Sequence, residues 1–290
     1  MTPELVVNEH CLCGENPLYD DALGVFYWCD IPPGKIFALD VKTGEHKLIY
    51  QDDKGREIGA FTLQEDGQLL ILFWGEAGLL NPQTGELVMI KHDIVDANET
   101  GRFNDCLPDP HGRVVTGTVD WEKQVRGGLY QTGTTLDAQL IRTDTACSNG
   151  LAFTPDLKGL YWADSSGKTV NLFDYDVETG AITNGRVWLD TAPDLVPDGL
   201  TIDAEGCLWI AFYHGSCIRH YDPQANLIAE VKLPVEHVTS CGFGGENWDE
   251  LYITSAAVEH NKPELEGGLF RLKLPVGGGK EFRSKVKIGA

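Results

Sequence analysis

The 290-residue sequence is poor in basic residues and contains no long apolar segment. Its 23 Lys and Arg residues are outnumbered by 44 Asp and Glu residues, which gives a formal net charge of -21. Proteins that bind a nucleic-acid backbone usually present a basic face, and an acidic surface is poorly suited to anionic membranes. No apolar stretch reaches the roughly 18 residues that a bilayer span needs. We therefore expect neither a nucleic-acid partner nor a membrane partner.

The N-terminal segment has no basic stretch followed by an apolar run, which is the pattern of a secretory signal peptide. We therefore expect a cytoplasmic location. The eight cysteines agree with this location if they are reduced, and most of them lie in apolar runs, where a thiol behaves as a small core residue. Cys11 and Cys13 have no matching second pair, so the spacing does not favour a zinc or redox motif.

Long helical periodicity is also missing. Short apolar runs rich in β-branched and aromatic residues recur between Asp-Gly, Thr-Gly and Pro-containing turns, which is typical of β-strands. The pattern repeats about every 45 residues, the length of a four-stranded propeller blade. It predicts an all-β fold, a six-bladed β-propeller with four-stranded antiparallel blades, and one domain over residues 1–290. We expect residues 4–7 to pair with the last blade, because an unclosed ring would leave two exposed edges.

One position at the start of each repeat carries most of the functional prediction. Around the ring it is occupied by Glu15, Gly59, Asn104, Asn149, Asp198 and Thr239. Equivalent positions on the innermost strands of a propeller converge on one mouth of the central channel. Carboxylate and amide oxygens without soft ligands favour calcium, magnesium or manganese, with zinc possible.

A simpler interpretation is that Asn-Gly and Asp-Gly only initiate turns, as they often do. However, Asn149-Gly150 and Asp198-Gly199 lead directly into apolar runs instead of joining two strands of a hairpin. The sequence therefore favours a cation site over a set of turns.

Five motifs in blade order resemble the gluconolactonase family, which includes regucalcin (senescence marker protein), bacterial sugar-lactone hydrolases and luciferin-regenerating enzymes. Each motif is weak alone, but together they extend over nearly the whole chain. They are Gly14-Glu15-Asn16-Pro17, Gly101-Arg102-Phe103-Asn104-Asp105, Asp109-Pro110-His111-Gly112-Arg113, Ser148-Asn149-Gly150-Leu151-Ala152 and Pro197-Asp198-Gly199.

The resemblance implies one divalent metal ion, calcium first, with zinc, manganese or magnesium as alternatives. It implies that Glu15, Asn149 and Asp198 bind this ion, and that Asp198 also serves as the general base or acid. The resemblance therefore implies a metal-dependent enzyme in which a metal-activated water opens a lactone ring.

The resemblance also implies that Arg102 and Asn104 bind substrate, with Asn104 close enough to the metal to be an occasional ligand. Glu122 falls where some family members place another substrate-contacting acid. The surrounding sequence, residues 118–122, departs from theirs, so Glu122 is the least supported of these residues.

The principal hypothesis is a carboxylic-ester hydrolase of carbohydrate metabolism that opens a small sugar lactone such as gluconolactone. One alternative is a metal-dependent hydrolase of other esters or of organophosphates. The other is a calcium-binding regulatory protein without turnover. The expected partner is a small-molecule lactone, and no obligate protein partner is evident in the sequence.

Overall fold

A computed structural model describes residues 2–120, 127–191, 193, 195–258, 262 and 264–287. Their regular secondary structure consists of strands, apart from one helix of four residues. In the part of the chain that is described, no helix is long and apolar enough to cross a membrane.

The strands form six antiparallel sheets of four strands, which we call blades 1 to 6. Blade 1 consists of β2 (Gly14–Asp20), β3 (Val25–Asp30), β4 (Lys35–Asp40) and β5 (His46–Gln51). Blade 2 consists of β6 (Ala60–Leu63), β7 (Leu69–Leu72), β8 (Ala77–Leu80) and β9 (Leu87–Lys91). Blade 3 follows the helix α1 (Ala97–Thr100) and consists of β10 (Arg102–Pro108), β11 (Val114–Val119), β12 (Gly127–Thr132) and β13 (Ala138–Thr145).

The remaining blades follow the same order. Blade 4 consists of β14 (Ser148–Phe153), β15 (Gly159–Asp164), β16 (Thr169–Tyr175) and β17 (Ile182–Asp190). Blade 5 consists of β18 (Pro197–Ile202), β19 (Leu208–Phe212), β20 (Cys217–Tyr221) and β21 (Leu227–Lys232). Blade 6 consists of β22 (Val238–Gly244), β23 (Glu250–Ser255), β24 (Gly268–Lys273) and β1 (Glu4–Asn8).

The ring closes through the N-terminal strand, as predicted. Strand β1 pairs antiparallel with β24, so the first residues of the chain complete the last blade. The first strand of blades 1 to 5, together with β22, forms an inner ring in which each strand contacts its two neighbours. The predicted six-bladed propeller is therefore confirmed.

The hydrophobic core is divided among the junctions between blades. Six buried clusters are present, one for each adjacent pair of blades. Trp28, Trp162 and Trp209 recur at one blade position, and each is at most 2% exposed within such a cluster. Their predicted core role is confirmed.

One end of the central channel is covered by the C-terminal segment, residues 276–287. This segment forms β-bridges between Gly278 and Asp203 and between Ser284 and Gln64, and so ties blades 5 and 2 together. A cavity of about 350 Å³ lies beneath it, at the end of the channel where the innermost strands finish. The opposite end, where those strands begin, carries the candidate site.

Candidate active site

Backbone irregularities lie at the predicted site residues. Strand β2 shifts register between Glu15 and Leu18, and β10 shifts between Asn104 and Cys106. Strands β14, β18 and β22 shift at the equivalent place. A bulge turns side chains away from strict alternation, and it often marks an active site. The repeated polar residues therefore share a register shift in the backbone as well as an equivalent position in the sequence repeat.

The glycines that follow two of these residues are required by close packing. A Cβ atom on Gly199 would lie 1.9 Å from Oγ of Ser240, and one on Gly150 would lie 2.4 Å from the backbone nitrogen of Leu200. Both glycines lie inside strands, where neighbouring innermost strands approach each other. The turn interpretation of Asn149-Gly150 and Asp198-Gly199 is therefore wrong.

A chain of hydrogen bonds joins the polar residues of blades 3, 4 and 5. Arg102 donates from Nη1 to Oδ1 of Asn104 over 2.6 Å, and Nδ2 of Asn104 donates to Oδ1 of Asn149 over 3.0 Å. Asn149 donates to Oγ of Ser165 over 3.0 Å, and Ser165 donates to the carbonyl of Pro197 over 2.5 Å. Because Pro197 precedes Asp198, the hydrogen bonds connect Arg102, Asn104 and Asn149 to the backbone beside Asp198.

Glu15 and Asp198 are acids held in a buried and negatively charged setting. They are 5% and 6% exposed, respectively. Burial raises the pKa of each carboxyl well above its usual range, and the nearby charge of Asp105 raises both pKa values further. The guanidinium of Arg102 opposes the increase in both cases.

Asp105 is a third acid at the site that the sequence reasoning missed. Burial raises its pKa to about 6, and Arg102 opposes that shift. Strict alternation along a strand would direct residues 104 and 105 to opposite faces, whereas the bulge in β10 begins at this pair. Asp105 also lines the 350 Å³ cavity. The Asn-Asp pair in the sequence was the only available signal.

A second group missed by the sequence reasoning holds the other side of Arg102. Nε of Arg102 lies 3.4 Å from Oε2 of Glu57, and Nε1 of Trp74 donates to the same oxygen over 3.1 Å. The Arg102 side chain is 11% exposed, whereas that of Glu57 is 35% exposed. Arg102 is thus fixed between Asn104 and Glu57, with Glu57 facing the solvent side.

Tyr213 contributes an aromatic wall at the same mouth. Its backbone N–H donates to the carbonyl of Val196 over 3.1 Å, two residues before Asp198. Burial raises the pKa of the Tyr213 hydroxyl above its usual range, and the carboxylates of Asp198 and Glu15 raise it further. Tyr213 is therefore fastened by its backbone to the segment that leads into Asp198.

The other predicted positions have different outcomes. Thr239 donates its hydroxyl to the carbonyl of Gly14 over 2.5 Å, so it joins β22 to β2. At Gly59, an added Cβ would lie 2.0 Å from the carbonyl oxygen of Phe103, so glycine permits the contact between blades 2 and 3. Glu122 lies outside the described residues, and its predicted role stays a prediction.

The donor set matches a divalent cation. Asp105 raises the pKa values of Glu15 and Asp198, and Asp198 also raises that of Glu15, so a positive charge among these acids would stabilise their ionised forms. Oδ1 of Asn149 accepts one hydrogen bond from Asn104 and keeps a lone pair for a further partner. Carboxylate and amide oxygens are the ligands of hard ions such as calcium. Glu15, Asn149 and Asp198 could hold such an ion.

Comparisons with known proteins identify the family of this chain. Residues 13–257 match the model of the SMP-30/Gluconolactonase/LRE-like region. The chain is 32% identical to pentonolactonase XacC of Haloferax volcanii over the full length of both proteins. It is 33% identical to regucalcin of Homo sapiens, over 93% of each chain. The structure superposes on a luciferin-regenerating enzyme with a TM-score of 0.85 and 27% identity, covering 98% of this chain and 99% of that one. The family match and these full-length similarities show that the chain belongs to the SMP-30/gluconolactonase/LRE-like family.

Proposed function

We propose that this chain is a divalent-metal-dependent lactone hydrolase and that residues 1–290 act as one propeller domain. The observation that carries the proposal is the junction of acids and Arg102 at one mouth of the channel. Asp198 and Glu15 supply the anionic end, and the bonds from Arg102 through Asn104 to Asn149 supply the donor end. Binding a lactone through its carbonyl and its hydroxyl groups requires both the anionic end and the donor end of the site.

The proposed reaction adds water across the ring ester. The water oxygen bonds to the carbonyl carbon, the bond to the ring oxygen breaks, and the products are a carboxylate, a new hydroxyl and one released proton. Glu15, Asn149 and Asp198 would hold a divalent cation, which would supply Lewis-acid polarisation of the carbonyl and a lowered pKa of the attacking water. Asp198 accepts the water proton through its carboxylate and returns a proton to the departing ring oxygen.

Arg102 and Asn104 are proposed to orient the lactone. The planar guanidinium can donate to two oxygens at once, which suits a ring that carries several hydroxyl groups. Its position is fixed by Asn104 on one side and Glu57 on the other. Fixed donors reduce the entropy that binding would otherwise cost. Glu122 remains a candidate for a further substrate contact.

The proposed substrate is a small polyhydroxylated aldono-lactone with five or six carbons. The five-carbon class is suggested by the relative named pentonolactonase, and the six-carbon class by the family named after gluconolactone. Calcium is the proposed ion, because the three ligands are hard oxygen donors and a structural neighbour is described as a calcium-binding regucalcin. Zinc, manganese and magnesium are the alternatives.

The decisive experiment is hydrolysis of aldono-lactones by chelator-stripped protein, followed in a pH-stat with each metal restored separately. Phenyl acetate and a phosphotriester extend the panel to other esters. Saturable lactone opening that returns with one metal would support the proposal. Faster turnover of the esters would favour the broader hydrolase. Calcium binding without any turnover above the spontaneous rate would favour the regulatory protein.

Asp203→Asn is the matched control for Asp198→Asn in this assay. Both aspartates are buried and border strand β18, but Asp203 lies at its other end. We expect lactone hydrolysis to survive in Asp203→Asn and to be lost in Asp198→Asn. Equal losses in correctly folded samples would contradict the assignment of Asp198.

A further inference from the structure

Blade 5 carries a second cluster of metal-ligating side chains at the rim of the site mouth. His214, Glu236 and His237 each offer a ligand atom, and the three atoms lie within 4.8 Å of one another. Nδ1 of His214 is 3.7 Å from Oε1 of Glu236, and the two imidazole centroids are 5.0 Å apart. Two imidazoles and one carboxylate are donors that zinc takes in proteins.

Two loops hold this cluster in a defined backbone geometry. The turn at residues 213–216 follows β19, and the loop at residues 233–237 precedes β22. Ser216 donates from its backbone to the carbonyl of Glu236 over 3.1 Å, and Leu233 donates to the carbonyl of Ser216 over 2.9 Å. The carbonyl of His237 accepts from the backbone of Ala256 in blade 6 over 3.0 Å. The ligand-bearing loops are therefore fastened together without any ion.

The side chains combine one anchored ligand with two adjustable ligands. His237 is 3% exposed, whereas the side chains of His214 and Glu236 are 52% and 46% exposed. The ring of Tyr213 packs against both imidazoles, with a centroid distance of 4.7 Å to each. Ligand atoms about 2.0–2.2 Å from a tetrahedral ion lie roughly 3.3–3.6 Å apart. The exposed pair needs only a small movement to reach that spacing, and an ion can enter from solvent.

A comparable group on the same blade is already committed to hydrogen bonds. Asp203, Cys207 and His220 also place three ligand atoms within 4.8 Å. Oδ1 of Asp203 accepts the backbone N–H of Cys207, and Oδ2 lies within hydrogen-bond distance of Trp209 and His220. A metal there would have to displace existing partners. In the rim cluster, Nδ1 of His214 and Oε1 of Glu236 lie 3.7 Å apart, which is longer than a hydrogen bond, so a bound ion can replace this contact.

We propose that His214, Glu236 and His237 form a second metal site, which takes a transition-type divalent ion of the zinc class. Imidazole nitrogen favours such ions, whereas the acids at the channel mouth favour a hard ion. The two sites would therefore select different metals. This proposal is independent of the reaction proposed above, because it concerns ligands that take no part in it.

The test is zinc binding to tag-free, chelator-stripped protein in the Glu15→Gln/Asp198→Asn background, which removes the ionised ligands of the central site. Isothermal titration should show one zinc ion bound per chain. His214→Ala and Glu236→Gln should each weaken zinc binding roughly tenfold or more, the scale on which metal sites respond to altered support. Both substitutions are at exposed side chains, so the fold is expected to survive them, and circular dichroism checks this.

His46→Ala is the matched control. His46 is an exposed imidazole 2.8 Å from Glu9, and so forms a His–Glu pair at the surface outside the rim cluster. Zinc affinity should be unchanged in this variant. Absorption of bound Co²⁺ should lack a thiolate charge-transfer band and should be insensitive to Cys207→Ser. Zinc binding that is unaffected by His214→Ala, equally weakened by His46→Ala, or lost in Cys207→Ser would overturn the proposal.

Discussion

Two aspartates at opposite ends of strand β18 show how one kind of residue acquires two roles. Asp198 and Asp203 are 6% and 1% exposed. Burial raises the pKa of Asp198 well above its usual range, and Asp105 adds repulsion. Burial would also raise the pKa of Asp203, but hydrogen bonds from His220, the Cys207 N–H and Trp209 outweigh it and lower the pKa. The donors around a buried acid, more than its burial, determine whether it stabilises the fold or remains available for chemistry.

The largest expected effect is on catalysis at the Asp198 end. Asp198→Asn removes the proposed base and an anionic ligand while keeping nearly the same shape. We expect kcat for lactone hydrolysis to fall about 10²- to 10⁴-fold, the usual contribution of general-base catalysis. The Tm of the metal-free variant should not be lower than that of the metal-free unaltered protein, because the substitution removes a poorly compensated buried acid. Turnover close to that of the unaltered protein would exclude Asp198 as the base.

Asp203→Asn should reverse that pattern. The amide would direct a donor toward the N–H of Trp209, and the charged acceptor of several hydrogen bonds would be lost. We expect the free energy of unfolding in urea at neutral pH to fall by about 2–3 kcal/mol. The rate of lactone hydrolysis by the folded variant should remain within about twofold of that of the unaltered protein. A twofold change in rate is a smaller free-energy difference than a shift of one pKa unit.

A comparison of the unaltered protein with Asp203→Asn also gives a prediction about the pH dependence of stability. The folded pKa of Asp203 is below its ordinary value of 3.8, so its contribution is complete above that pH and is lost as the pH falls through the folded pKa. The stability difference between the unaltered protein and Asp203→Asn should therefore shrink in urea titrations below pH 3.8. A difference that stays constant with pH would indicate that the charge of Asp203 contributes little.

Calcium should affect the thermal stability of the Asp198 and Asp203 variants differently. A ligand that binds only the folded state at 100 times its Kd stabilises the protein by about 2.7 kcal/mol. We expect calcium to raise the Tm of chelator-stripped protein and of Asp203→Asn, and to have little effect on Asp198→Asn. A calcium-dependent increase that survives in Asp198→Asn would place the ion elsewhere.

Two arginines extend the comparison at a smaller scale. Arg102 contacts Asn104 and Glu57, whereas Arg113 pairs with Asp109 and donates to the carbonyl of Val177 over 2.6 Å. Replacing Arg102 by Lys keeps the charge but removes the planar pair of donors. We expect KM for the lactone to rise roughly tenfold, about 1.4 kcal/mol of binding. Arg113→Lys should instead lower stability in urea and leave KM unchanged, and a shared KM effect would argue against a substrate role for Arg102.

The smallest expected effect is at Glu57, which positions Arg102 from the solvent side. Partly exposed ion pairs usually contribute about 0.2–1 kcal/mol. Glu57→Gln should therefore raise KM by no more than about fivefold and leave kcat unchanged. Steady-state kinetics separate the two constants, and a fall in kcat alone would show that Glu57 acts on the chemical step.

Much of the fold could be predicted because its signals are local and repeated. Runs of apolar residues separated by turn glycines gave the blade pattern, and the polar residue at the start of five of the six repeats indicated one mouth of the channel. Asp105 escaped prediction because alternation along a strand does not reveal where a bulge will fall. Glu57 and Trp74 escaped because their contacts with Arg102 join separate blades, and their sequence neighbours give no sign of that contact.

By itself, the sequence determined the six blades, the closure by the N-terminal strand and the set of oxygen-bearing residues, since each depends on a pattern that recurs along the chain. Only the tertiary structure decided which of those residues face one another. It turned Thr239 toward Gly14, brought Asp105 toward Glu15 and Asp198, and saturated Asp203 with donors. The physical reason is that hydrogen-bond partners and electrostatic neighbours are set by packing between blades, where residues far apart in sequence meet.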